Sequence, residues 1–417
     1  MSTPPPSLPR ASLNPTSALF ILFLGALAAL PPLSIDMGLP GLGAVQTSLG
    51  ATASEAAMTL TLFLLGFAVA PLVLGPMADR YGRRPILLAG LTVFTIAGFG
   101  CALAPTTGTL LGFRVLQGIG AGASAMLPMV IVRDLFSGAK ARSRMSYVTL
   151  VLGIGPIIAP ALGAGIMALS GWREIYGVLG VCGIVILIAA WWGFAESAPK
   201  GQRNSLEPRA ILASYRKVLK HRIFLGFSLV NGLAFASMFA YISGSPLVLM
   251  GNLGVSTGAY SLIFAITAGA LVLGSMLNGW AASRDMHPKL MFRCALVLLV
   301  GAPVILVVLS LAGIQTVATI APLVALATFS LGIIMPNATH GALQPMGRIA
   351  GVAAAVLRAI QMVCGAAASG LVAMFYDGKS ALAMTGTMAL CAVLACIVFM
   401  VMLKPALAKA SLATTTN

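Results

Sequence analysis

Acidic residues are scarce in this chain. Nine Asp and Glu stand among 417 residues, and only 8% of positions carry any charge, against about 25% in soluble domains. A water-soluble fold is therefore excluded. Histidine is confined to His221, His287 and His340, too scattered for a metal cluster. The cysteines Cys101, Cys182, Cys294, Cys364, Cys391 and Cys396 contain no CxxC pair, which removes a disulfide or metal framework and leaves them as packing residues. No phosphate-binding loop appears, so neither ATP nor another cofactor is implied. A membrane enzyme would need His, Asp or Cys gathered at one interface. Here they are dispersed, and no enzymatic activity is expected.

What the chain has instead is apolar length. It is 59% hydrophobic with a mean hydropathy of +1.01, and runs of roughly 20 apolar residues, enough to cross a bilayer, recur throughout. They fall near Ser17–Asp36, Ala57–Ala78, Pro85–Ala104, Thr109–Val132, Ser146–Ser170 and Ile175–Ala195. A second set falls near Ile223–Ser243, Gly258–Ala281, Leu290–Ala312, Thr316–Asn337, Gly351–Met374 and Ala381–Leu403. The expected fold class is an all-α integral membrane protein with twelve transmembrane helices in two pseudo-symmetric six-helix bundles. The expected organisation is a tail at 1–16, a bundle at 17–195, a linker at 196–222, a bundle at 223–403 and a tail at 404–417.

The net charge of +16 would point to nucleic acid in a soluble protein. Here the charge sorts to one side. With the N-terminus inside, only Arg173 and Lys379 fall outside, Arg114 and Arg358 lie within spans, and the remaining Lys and Arg are cytoplasmic. This positive-inside pattern puts both termini in the cytoplasm and makes the bilayer, not nucleic acid, the partner. Residues 1–16 lack a cleavage site after a short apolar core, so no removable leader is expected. The basic end of the linker, Arg216 to Arg222, reads as a short surface helix.

Polar groups inside spans are costly and mark function. Asp36, after Pro31-Pro32, is the one acid placed within a span. A carboxyl in a low-dielectric pocket can cycle between charged and neutral forms, which proton coupling requires. The other reading is an interfacial residue capping the turn at Met37–Pro40. Arg114 lies at matching depth, with Gln117 one turn away, so the two are expected to share a polar cluster with Asp36; snorkelling of Arg114 is the alternative. In the fifth span, Gly153, Gly155, Gly163 and Gly165 surround Pro156 and Pro160. They allow a kink and close helix contact, for packing or for a hinge. In the second half Asn231, Tyr241, Asn337, Arg358 and Gln361 are candidate substrate-cavity residues or interhelical ties.

The most informative stretch joins the second and third spans: Gly75-Pro76-Met77-Ala78-Asp79-Arg80-Tyr81-Gly82-Arg83-Arg84-Pro85. A solvated topology loop explains the charge alone. The sharper reading makes it a cytoplasmic gate of Gly75, Asp79, Arg80, Gly82, Arg83 and Arg84, with Asp79 at the positive end of a neighbouring helix and the arginines bridging to acids or helix C-termini. A weaker echo, Gly274-Ser275-Met276-Leu277-Asn278-Gly279 followed by Arg284, lies in register in the second half, as expected of a carrier built from paired halves.

The stretch resembles the loop signature of the major facilitator superfamily. With Ser34–Met37, Leu39-Pro40, Arg114–Gly118, Ala159-Pro160 with Gly163, Gly171–Arg173, Ala240–Pro246 and Pro336-Asn337, the chain is similar to twelve-span drug:proton antiporters of the Bcr/CflA subfamily. The resemblance runs almost end to end. It implies a bacterial inner-membrane carrier, monomeric, exchanging protons for small-molecule substrates. It assigns proton coupling to Asp36 and Arg114, a latch to Asp79 with Arg83, and export to the region of Pro160, the antiporter hinge. The chain departs from the pattern at Gly38, where an aromatic is usual, at Pro71, and at Ala28, where some multidrug relatives hold a second acid. Without that cavity carboxylate, neutral, zwitterionic or weakly anionic amphiphiles, such as chloramphenicol-like drugs, are expected over cations. The alternative on the same scaffold is an importer or uniporter of a small metabolite.

Overall fold

The chain was analysed as a computed structural model that describes residues 13–198, 208–284 and 288–407. Most of both tails, linker residues 199–207, and Asp285 and His287 lie outside the described residues. Regular structure among the described residues is entirely helical. The helices are α1 (Ala18–Asp36), α2 (Leu42–Leu49), α3 (Ala53–Tyr81), α4 (Arg83–Ala102), α5 (Thr107–Leu135), α6 (Gly138–Leu169), α7 (Trp172–Gly193), α8 (Pro208–Lys220), α9 (Arg222–Ser245), α10 (Thr257–Ala282), α11 (Pro288–Leu311), α12 (Val317–Leu343), α13 (Ala350–Phe375) and α14 (Leu382–Val398). Twelve segments are long and apolar enough to cross a membrane, as the hydropathy pattern predicts.

Several helices outrun their apolar cores. α12 continues past Asn337 to Leu343, and α6 begins at Gly138, eight residues before the apolar run. Charged first and last turns extend into the polar zone at little cost, so hydropathy alone underestimates length. α9 widens at Pro246 into a π-helical stretch, Pro246–Asn252. The basic linker helix is α8, which starts well before Arg216.

Helix starts explain the boundaries at the end away from the basic loops. Thr52, Thr106, Ser256 and Thr316 each accept a hydrogen bond from the backbone N–H three residues on, satisfying one otherwise orphaned donor. They open α3, α5, α10 and α12. The Gly378-Lys379-Ser380 run at this end is wrapped round Asp377, whose Oδ1 accepts from the Lys379 and Ser380 N–H groups at 2.9 and 2.8 Å. These bonds hold the Asp377 carboxyl down at about 2.

α1 and α3 to α7 pack as one bundle and α9 to α14 as the other, joined chiefly along α3–α13 and α6–α10. Among the described residues the halves share their main core at the end away from the basic loops, while toward the basic end Leu72 of the first bundle packs against a smaller cluster around Phe224 and Met346. In the main core Phe235, Tyr241, Tyr260, Phe264, Met362 and Val372 merge with the core of the first bundle. Toward the basic end the same second-bundle helices form a cluster of their own around Leu296, Leu331, Ala338 and Leu403. The two halves thus meet chiefly at one end, and the exposed stripe Gly351, Ala354 and Arg358 of α13 marks a crevice that opens at the basic end.

Candidate functional site

Asp36 closes α1 at the sealed end. It is 2% exposed, and its Oδ1 is buried without a hydrogen-bond partner. Tyr241 and Tyr260 of the second bundle lie within electrostatic reach of the carboxyl, without a hydrogen bond to its sealed oxygen. Their hydroxyls are themselves placed by Thr267 (3.1 Å to Tyr241) and Ser245 (3.2 Å to Tyr260). The acid therefore belongs to the first half and lies near the second.

Arg114 does not join it. Nε donates to the Thr59 carbonyl at 3.2 Å and Nη1 to Gln117 Oε1 at 2.7 Å. The guanidinium lies over the Phe63 ring (4.4 Å to the centroid) and near that of Tyr176 (5.5 Å). The expected single cluster is thus corrected to two centres. α5 turns Arg114 toward α3 and α7, away from the unpartnered oxygen of Asp36. At 2% exposure Arg114 is also no snorkelling residue, and Gln117 holds it as the spacing suggests.

The glycines and prolines of α6 explain how Asp36 is enclosed. A Cβ on Gly163 would collide with the Met37 carbonyl, and one on Gly155 would come within 2.7 Å of the Pro32 ring. Only glycine lets α6 lie this close to the end of α1. Pro156 and Pro160 sit inside the same continuous helix. The Pro160 carbonyl accepts from Ser261 Oγ on α10 at 3.2 Å, so this stretch touches the acid's helix on one side and the other bundle on the other.

The loop signature forms a knot of charge at the basic end. Arg83 pairs with Asp79 through Nη1 and with Asp134 through Nε at 3.0 Å. Asp79 is therefore not the helix-end partner expected of it. Glu196 takes that place, accepting from the Arg83 and Arg84 backbone N–H groups at 2.8 and 3.1 Å at the start of α4, where a negative charge complements the dipole. Arg84 donates to the Trp191 carbonyl at 2.6 Å. Gly82 has φ +107°, and a Cβ there would meet the Glu196 carboxylate, so both conformation and space demand glycine. Arg80 is exposed, and Gly75 faces open space. Every one of these side-chain contacts stays within the first bundle.

The second-half polar set divides. Asn231 donates to the Met335 carbonyl and to Thr339 Oγ1, both at 3.1 Å, and Asn337 donates to Asn278 Oδ1 at 2.6 Å. Both are ties within their own bundle. Tyr241 lies at the interface with Asp36. Arg358 is exposed and donates through Nη1 to Gln361 Oε1 at 2.6 Å; Arg358 lines the crevice and Gln361 is buried behind it.

Sequence reasoning passed over Asp134 and Glu196, although the scarcity of acids was the signal that would have found them. It also missed a hydroxyl chain across the halves. Thr61 Oγ1 donates to Ser369 Oγ at 2.8 Å, and Ser369 donates to Ser243 Oγ at 3.0 Å. Single hydroxyls in apolar helices carry no pattern by which to find them.

Twelve spanning helices in two bundles that meet at one end define a membrane carrier. The chain belongs to the Major Facilitator Superfamily, whose profile matches residues 16–369. It is a multi-pass membrane transporter and not an enzyme; members of the family bind small molecules and usually work as monomers. It is 31% identical over 364 residues to an uncharacterized MFS-type transporter, YdgK, of Bacillus subtilis (strain 168), covering 86% of this chain and 90% of the relative. It is 31% identical over 351 residues to the multidrug resistance protein MdtL of Escherichia coli O17:K52:H18, covering 83% and 86%. The fold matches the E. coli xylose transporter XylE (TM-score 0.66, 16% identity, 92% and 98% covered). It also matches a POT family transporter in complex with a thioalcohol-conjugated peptide (TM-score 0.73, 12% identity, 92% and 95% covered).

Proposed function

We propose that the chain is a proton-coupled exporter of amphiphilic drugs or metabolites, a drug:proton antiporter of the Bcr/CflA kind. In this reading it works by alternating access in the bacterial cytoplasmic membrane, with the basic end and both termini inside. The observation that carries the proposal is Asp36, a sealed carboxyl without a basic partner at the one place where the halves close on each other. An ionisable group is expensive there, and its charge is affordable only when that end opens to water. Likeness to a relative named for multidrug resistance supports drug export over sugar or peptide uptake.

The cycle we propose is as follows. Substrate enters the crevice from the basic end while Asp36, carrying its proton, sits in the closed opposite end. Release of that proton through the crevice to the cytoplasmic side leaves a carboxylate near Tyr241 and Tyr260, which favours opening of this end and release of substrate outside. A proton from outside then neutralises Asp36, and the halves close again. Arg114, held by Thr59 and Gln117, is the nearby fixed charge of the same bundle. Asp79, Arg83, Asp134 and Glu196 form the gate at the basic end, and Gly155, Pro156, Pro160 and Gly163 the hinge.

The test is uptake into inside-out proteoliposomes of purified protein, with chloramphenicol among a panel of neutral and zwitterionic antibiotics and an imposed pH gradient. Accumulation that collapses when the gradient is dissipated supports the proposal. Exchange of small metabolites that ignores the gradient contradicts it.

A further inference from the structure

Arg358 is the one cation among the described residues set deep in the crevice between the bundles. The exposure pattern of α13 locates it. On one stripe of the helix Gly351, Ala354 and Arg358 are exposed, whereas Gln361, Gly365 and Ser369 farther along the same stripe are buried. The stripe meets the other bundle at Ser369, which is hydrogen-bonded to Thr61. Val363 and Met374 are exposed on the opposite side of the helix, the side that faces lipid. Arg358 therefore stands about 12 Å into the helix from the basic end, at 1.5 Å per residue, just short of where the crevice closes.

Among the described residues its charge has no counter-ion. Asp79, Asp134 and Glu196 are engaged with Arg83 and Arg84. Glu55, Glu174 and Asp377 lie at the far end, and Asp36 is sealed at the closed interface. Among the described residues no carboxylate lies within 4 Å of the guanidinium. One N–H is held by Gln361, which is itself buried and so fixes the fork. The guanidinium offers five donors and cannot lose its proton, so most of its fork is free to face the crevice. A planar array of unused donors in a narrow, partly desolvated cleft is a receptor for a carboxylate or similar oxyanion, bound in bidentate fashion.

We infer that Arg358, oriented by Gln361, docks an anionic oxygen group on the transported substrate, the apolar remainder lying along the crevice walls. This rests on the exporter reading and narrows its substrate class from neutral, zwitterionic or weakly anionic compounds to organic acids.

The experiment is equilibrium dialysis with full-length detergent-purified protein at neutral pH. The probes are matched pairs: phenyl-, 2-naphthyl- and 4-biphenylacetic acids and the corresponding uncharged amides. The acids are expected to bind the wild type about tenfold more tightly than their amides, the size of one charge-assisted contact. In Arg358→Gln the acid-to-amide ratio falls to near one, and in Arg358→Lys, which keeps the charge and loses the fork, it is intermediate. Equal binding of acids and amides, persistence of the ratio in Arg358→Gln, or no binding of any probe overturns the inference. Gradient-driven chloramphenicol transport, run in parallel, separates the two ideas. Transport without acid preference sinks this inference alone, and failure of both sinks the exporter reading with it.

Discussion

Asp36 is stabilised neither by a basic side chain nor by a hydrogen bond to its sealed oxygen, and on that isolation the proposed coupling depends. Replacing it with Asn removes the titration and keeps the shape. Asp36→Asn is expected to leave the detergent melting temperature within a few degrees of wild type while gradient-driven transport falls to background; normal transport by this variant would remove Asp36 from the mechanism. Gly82 is a second residue whose identity is dictated. With φ +107° and the Glu196 carboxylate where a Cβ would sit, Gly82→Ala should cost about 1–3 kcal/mol through backbone strain, read as a loss of thermal stability. Both residues were legible in the sequence, Asp36 as an acid inside an apolar run and Gly82 as a glycine in a charged turn. Their partners were not. Nothing in residue spacing reveals that Arg114 turns toward Thr59 and Phe63 rather than toward Asp36, because the rotation of a helix about its axis is set by its neighbours.

At the level of the element, α4 and α6 show how sequence motifs become packing. The start of α4 is capped from the far end of the first bundle, by Glu196 beyond α7, so the gate signature is completed more than 100 residues downstream. Glu196→Gln keeps hydrogen-bonding capacity and removes the charge that complements the helix dipole and the neighbouring guanidinium groups. It should lower stability by about 0.5–2 kcal/mol, with the deficit shrinking at high salt; a salt-independent loss would point to shape instead. α6 touches the end of α1 through Gly155 and Gly163. Gly163→Val, which drives side-chain atoms into the Met37 backbone, is expected to abolish transport, whereas Gly165→Val, at an exposed position with open space beside it, is tolerated. Element number and order follow from hydropathy. Element ends do not, because the outer turns of α6 and α12 are charged, polar or small and lie outside the apolar runs.

Across the whole molecule, the halves are joined at the end away from the basic loops by two side-chain hydrogen bonds, Thr61 to Ser369 and Ser261 to the Pro160 carbonyl, with the shared core around them. Alternating access requires that contact to break in each cycle. A Thr61→Cys/Ser369→Cys pair in a background without the native cysteines should cross-link under mild oxidant, stop transport, and recover on reduction. Cross-linking that leaves transport intact would show that this end need not open. The paired halves and the gathering of basic residues at one end of the helices are visible in the chain. Which end is closed is not, since the sequence must encode both arrangements equally.

The most direct test of the account is proton movement itself, measured with a pH-sensitive dye inside proteoliposomes when a transported compound is added down its gradient and no pH gradient is imposed. Coupled exchange predicts that substrate flow drives protons the opposite way in the wild type and that Asp36→Asn moves no protons. Substrate flow without proton movement in the wild type, or unchanged proton movement in Asp36→Asn, would contradict it.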